Sequence, residues 1–264
     1  MKLSTITLAS FLSSAALLQA QLGPPKIGLA RYTDHTVHAI YGLPFNFVLG
    51  KLAFAAADAI SFSDSAGLVS RAGNIQLIAQ DGSVIGEYNS AETAPVLNVD
   101  RDLKTAIAWL PSRHALLHWN GTCFELSPVP DGDLTGIVTS LRLENSQTAR
   151  LLVTGNNGDV FEASVSVGTG NLISFNLLPG VRGSAFRQDS FLIFEDQQGL
   201  EIESPNGSIR SLPLAAPDLT FERMSSDWLH LSSASARRDW ALHLNATSLS
   251  LSQLPVPGVQ EAAK

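Results

Sequence analysis

The side chains here that could do chemistry are six histidines, a single cysteine, and acids and aromatics at recurring positions. A metal site needs several donors converging on one point. His35 and His38 are three residues apart, a spacing that sends them to opposite faces of a strand. His114 and His118 would share a face on one strand, but about 13 Å apart at ~3.3 Å per residue, too far to hold one ion. A His-x-x-x-His pair chelates zinc from a helix, whereas Ala115-Leu116-Leu117 between these two reads as strand. His230 and His243 fit neighbouring strands, with no third donor beside them. The sequence therefore implies no metal and no cofactor. No Gly-x-Ser-x-Gly elbow presents a serine nucleophile. Cys123 follows a hairpin turn and reads as a small buried apolar group, and being alone it excludes an internal disulfide. No catalytic residue is assigned.

Two sets remain that could hold a ligand. Asp64, Asp102, Glu144, Asp189 and Asp227 place one acid at each of five comparable turns. Carboxylates arranged around an axis attract a cation or a basic ligand, although Asp is also favoured in tight turns for the backbone bonds it makes. Arg223, Trp228 and His230 bring a cation, an aromatic ring and an imidazole onto one strand pair, and form the candidate binding group. Trp109, Trp119 and Trp240 are embedded in strands and read as core.

The elements that must position these residues are strands. Ile75, Leu77 and Ala79 alternate with Gln76, Ile78 and Gln80, and Trp240, Leu242 and Leu244 with Ala241, His243 and Asn245. Alternation of period two puts one set on each face of a sheet. Leu151-Leu152-Val153 is apolar on both faces, as a strand covered on both sides requires. Lys51 to Ile60 is the best helical candidate, and also fits a connecting turn or extended crossover.

The turns set the period. Asp81-Gly82, Asn120-Gly121 and Asn206-Gly207 supply the positive φ that tight hairpins require, with Asn245-Ala246 a variant. Asp34-His35 and Gly170-Asn171 occupy comparable places. A second series, Asp64-Ser65, Arg101-Asp102, Asn145-Ser146, Gln188-Asp189 and Ser226-Asp227, precedes them. Together they frame a four-stranded meander of about forty residues, the content of a propeller blade. The blades are expected over Ala59–Asn89, Ala94–Val129, Gly136–Pro179, Gly183–Ala215 and Leu219–Val256. Ile27 to Gly50 adds a partial blade of two or three strands, giving six blades with one incomplete, or five and a hairpin. Propellers often close by completing one blade with strands from both chain ends, but the last blade here already reads as four-stranded. The alternative fold is a β-sandwich.

On that repeat and turn chemistry the chain resembles the β-propeller superfamily, and exported bacterial propellers of uncharacterised function and similar size. It has no Trp-Asp or Gly-His pair of the WD40 type, no kelch double glycine and no Asp box. The resemblance implies a fold, not a site.

Residues 1–20 read as a signal peptide: Lys2 is followed by an apolar run from Leu3 through Leu18 and small residues to Ala20. Residues 21–264 then form one domain, secreted or periplasmic, with no membrane insertion after cleavage. The net charge of −7 and the lack of a basic run argue against nucleic acid as a partner. The expected function is a non-enzymatic extracytoplasmic binding or scaffold module, a monomer whose partner is an unidentified protein or glycan. The alternative is a propeller hydrolase, lactonase-like or carbohydrate-active, with its residues dispersed over loops.

Overall fold

The computed structural model describes residues 23–258, apart from 101–104, 131, 133, 197–198, 215, 217 and 246–247. These residues form six antiparallel sheets, each a simple up-and-down meander. Blade 1 is β1 (Lys26–Arg31), β2 (Val37–Leu43) and β3 (Asn46–Phe54). Blade 2 is β4 (Ala59–Phe62), β5 (Ala66–Arg71), β6 (Asn74–Ala79) and β7 (Val84–Asn89). Blade 3 is β8 (Val96–Val99), β9 (Ala106–Leu110), β10 (Ala115–Trp119) and β11 (Phe124–Pro128). Blade 4 is β12 (Ile137–Asn145), β13 (Thr148–Thr154), β14 (Asp159–Ser166) and β15 (Leu172–Arg182). Blade 5 is β16 (Ala185–Gln188), β17 (Phe191–Asp196), β18 (Gly199–Glu203) and β19 (Ile209–Leu212). Blade 6 is β20 (Leu219–Arg223), β21 (Trp228–Ser233), β22 (Arg238–Leu244) and β23 (Leu249–Gln253). The fold is an all-β, six-bladed propeller whose first blade has three strands among the described residues. Lys51 to Ile60 is not helical: β3 runs to Phe54, and a short connection leads into β4.

The hairpins follow from their side chains. Asp81 Oδ1 accepts from Ser83 N at 2.9 Å, Asn120 Oδ1 from Thr122 N at 2.9 Å and Asn206 Oδ1 from Ser208 N at 3.0 Å. Each Asx side chain thus satisfies the turn's own backbone while the next glycine takes the positive φ. These turns join third to fourth strands. Between blades the sheet faces pack as core. Ile107, Trp109 and Leu116 of blade 3 join Leu141, Leu151 and Val153 of blade 4, and Trp240 packs with Ile193 and Ile202 of blade 5. Fully burying one such aliphatic side chain contributes roughly 1.5–3 kcal/mol.

Among the described residues, blade 1 lacks its innermost strand. In the complete blades the first and third turns share one face of the disc, and the links to the next blade lie on the other. The Pro44 turn between β2 and β3 lines a cleft with Asp64 and Asp81, which places it on the first of these faces. His35, between β1 and β2, accepts through its backbone carbonyl from Ala57 N in the link to blade 2, on the opposite face. Thus β1, β2 and β3 hold the second, third and fourth positions. Asp34-His35 is therefore a second-to-third-strand turn, not a member of the hairpin series with which its composition groups it.

The C-terminal strand stays in blade 6, so closure by strands from both chain ends does not occur among the described residues. Instead β4 and β20, innermost in blades 2 and 6, touch each other, and β1 packs against β4 and β21. Leu29 N donates to Met224 O at 3.3 Å and Ser225 Oγ to Ile27 O at 2.7 Å. This approach depends on Gly28, whose φ is +156° and where a Cβ would sit 2.5 Å from Met224 O. Gly28→Ala is expected to destabilise the fold by about 1–3 kcal/mol, the usual range for overpacking. Urea unfolding measures it, and an unchanged midpoint would show that blade 1 does not close against blade 6 in this way.

Candidate functional site

Glu222 and Arg223 are successive residues of β20, so their side chains leave opposite faces of the blade. Arg223 is buried and turns inward. Its guanidinium donates to Val99 O at 3.1 Å, to Asp189 Oδ1 at 3.3 Å and to Ser225 O at 3.3 Å. One side chain from blade 6 therefore binds blade 3, across the axis, and blade 5. Gln188 Nε2 adds bonds to Ser225 O at 3.3 Å and Ser226 O at 2.8 Å. The channel is plugged at this end by a side chain and its partners.

His230 lies on the other face, in register with Glu222, and is 1 % exposed. Its Nε2 is 2.9 Å from Asp239 Oδ1, and its Nδ1 is 3.8 Å from Glu222 Oε2. Glu222 Oε1 in turn accepts from Arg31 Nε at 2.8 Å and from Ile60 N at 3.4 Å. Blades 1, 2 and 6 thus meet on one carboxylate. The Tyr32 ring stands 6.2 Å from that of His230, and the Tyr32 hydroxyl donates to Pro255 O at 2.9 Å. Burial opposes the charge on His230, but the bond to Asp239 and the neighbouring Glu222 hold its pKa above the ordinary value. Burial, with Asp239 and Asp34 nearby, raises the Tyr32 phenol and keeps it neutral.

Of the three residues grouped from sequence, only Trp228 lines an open site. It stacks on His243 with ring centres 4.5 Å apart, and Phe47 meets it edge-on at 5.5 Å. The site is a cleft of about 980 Å³ between blades 1 and 2, next to the position of the missing strand. Leu43, Leu52 and Phe54 line the blade 1 wall, and Phe62 and Ile78 the blade 2 wall; Asp64, Ser225, Asp227 and Trp228 mark the inner end. Leu43 and Leu52 are exposed.

The acidic turns diverge in their surroundings. Asp64 accepts from Ser226 N at 3.4 Å, Asp189 holds Arg223, and Asp227 lines the cleft. Glu144 pairs with Arg150 of its own blade, and Asp102 lies outside the described residues. The remaining histidines are separated: His114 packs edge-on against Trp109 at 5.5 Å, and His118 faces Glu125 at 3.3 Å. Cys123 is exposed rather than buried, because its place just past the Asn120 turn puts it at the rim of the blade. Sequence reasoning passed over Arg31, Glu222 and Asp239. A signal was present: the innermost strand of blade 6, LTFER, carries two ionised residues where AISF and VLNV of blades 2 and 3 carry none.

No protein-family model matches the sequence, and no curated protein matches it. Among solved structures it is similar to a chain of the crystal structure of a nidogen/laminin complex, at 10% identity and a TM-score of 0.54, covering 86% of this chain and 92% of that one. Two others align less closely. For BBS1N in complex with ARL6DN the TM-score is 0.46 at 14% identity, over 86% and 76% of the chains. For Kuenenia stuttgartiensis hydrazine synthase it is 0.44 at 12% identity, over 85% and 78%. The likeness is one of fold, that of the β-propeller.

The His230 pairings give stability a pH dependence of definite sign. The folded-state pKa lies above the unfolded value of about 6.5, so the contribution is complete below that pH. It is lost as pH rises through the folded value. Removing one member of a buried ion pair costs about 3–5 kcal/mol. His230→Gln should therefore lower stability by that order at pH 5.5, with the gap to wild type narrowing in alkaline buffer. Denaturant melts across pH measure it, and a gap that widens with pH would contradict this assignment.

Proposed function

We propose that the chain is a non-enzymatic, extracytoplasmic binding module that receives a protein or glycan partner in the cleft between blades 1 and 2. The observation that carries this reading is the cleft itself. Ligand sites are concave, mostly apolar, and carry a few polar groups that fix orientation. Here apolar walls from Leu43, Leu52, Phe54, Phe62 and Ile78 lead to Asp64, Asp227 and the edge of Trp228. The plugged axis favours the same reading, since Arg223 fills the place where a channel-mouth active site would gather its side chains. On this view the signal-like residues 1–20 send residues 21–264 out of the cytoplasm, where the module acts as a monomer.

Leu52→Arg puts a charge on an exposed wall of the cleft without touching the core; Leu52 is 52 % exposed. Glycan arrays and affinity capture with identification of the bound species, run on wild type and this variant, test the reading. Ile173→Arg on the outer strand of blade 4 is the control. A ligand held by wild type and the control, and at least tenfold weaker on Leu52→Arg, is expected. A ligand retained equally by all three would place the binding surface elsewhere.

A further inference from the structure

Across the ring from the cleft, the junction of blades 4 and 5 gathers three arginines. Arg142 of β12 and Arg150 of β13 are directly opposite each other in the sheet register, and Arg187 comes from β16 of the next blade. Like charges placed opposite on paired strands destabilise a sheet, so the arrangement needs counter-charge. Glu162 lies between two of the arginines, 3.0 Å from Arg150 Nη1 and 3.1 Å from Arg187 Nη2. Glu144 accepts from Arg150 Nη2.

Arg142 makes no direct ion pair among the described residues, although Glu162 and Glu144 lie near enough to offset part of its charge. Of its five N–H donors, the one partner among the described residues is a neutral carbonyl, Asp189 O, at 3.1 Å. The Nε atoms of Arg142, Arg150 and Arg187 are all buried without a hydrogen-bond partner. Burial first, then the neighbouring Arg187 and Arg150 charges, lower the Arg142 pKa against the opposing pull of Glu162 and Glu144. The site remains open to solvent, with the Arg150 side chain 31% exposed. Three guanidinium groups against two carboxylates leave one positive charge in excess, on a chain of net charge −7.

We propose that Arg142, Arg150 and Arg187 form an oxyanion-binding site that takes the sulfate, phosphate or carboxylate group of a ligand. The planar fork of arginine matches such groups with paired N–H bonds, which lysine cannot reproduce. An oxyanion beside Arg142 supplies the missing counter-charge and uses its idle donors. The site is independent of the blade 1–2 cleft and stands whether or not that cleft binds anything.

The test is an NMR titration of the full chain, labelled with ¹⁵N-arginine, following the Nε–H signals. Sodium sulfate, phosphate and acetate are added singly, with sodium chloride holding ionic strength constant; a further arm uses a sulfated disaccharide. Saturable shifts confined to the three arginines are expected. Tighter binding of the disaccharide than of sulfate would identify a glycan source, and equal binding a free anion. Arg142→Gln should weaken binding at least tenfold, and Arg142→Lys, which keeps the charge without the fork, by an intermediate factor. Arg182→Gln, at an exposed pair with Asp159, should leave it unchanged. Non-saturating shifts in wild type with every anion, or equal affinity in Arg142→Gln, would overturn the proposal.

Discussion

A single carboxylate, Glu222, holds the point where blades 1, 2 and 6 meet, and the shape of the ring follows from how it is satisfied. An ionised carboxylate taken out of water is costly unless it is paired and hydrogen-bonded. Glu222 has Arg31 from blade 1, a backbone N–H from Ile60 of blade 2, and His230 of its own blade. The Ile60 contact shows why a charge stands here. β4 is the inner edge of its sheet, so a backbone N–H directed away from β5 has no ladder partner, and an unpaired backbone donor is itself costly. The carboxylate supplies an acceptor there and anchors blade 1 in the same contact.

Two features descend from that closure. On the inside, the innermost strands crowd the axis, and Arg223 fills it by binding blades 3 and 5 together with its own loop. On the outside, blades 1 and 2 also pack through Val37, Phe54, Phe62 and Val69, and the cleft opens beside that contact, on the Asp64 face. The three described strands of blade 1 thus leave a filled centre and a concave flank. The arginine cluster at blades 4 and 5 is separate from the Glu222 junction, and Arg142 ties it to Asp189, the residue that holds Arg223.

Much of the fold was legible because hairpin chemistry is local. The blade expected over Ala59–Asn89 starts and ends with β4 and β7, and that over Leu219–Val256 starts with β20, since Asx-Gly pairs and two-residue alternation fix turns and faces without reference to neighbours. Asp34-His35 misled for the same reason. Its Asx turn is locally like the others, with Asp34 Oδ1 accepting from Thr36 N at 2.9 Å, yet it sits on the opposite face of the disc. Which strand blade 1 lacks is a matter of assembly between blades, and no local pattern encodes it. The site residues divide in the same way. Trp228 could be singled out by type, whereas the partners of His230 come from β20 and β22, and Arg142, Arg150 and Arg187 are scattered along the chain. Only the stacking of blades brings them together.

The claim that Glu222 closes the ring is tested most directly by native-state hydrogen exchange on Glu222→Gln, read strand by strand by mass spectrometry. Loss of the charge should release Arg31 and weaken the hold on Ile60. Protection is then expected to fall in β1, β2 and β3 and around Ile60, while β8 to β19 in blades 3, 4 and 5 exchange as in wild type. Uniform loss across all six blades, or unchanged protection in blade 1, would contradict it.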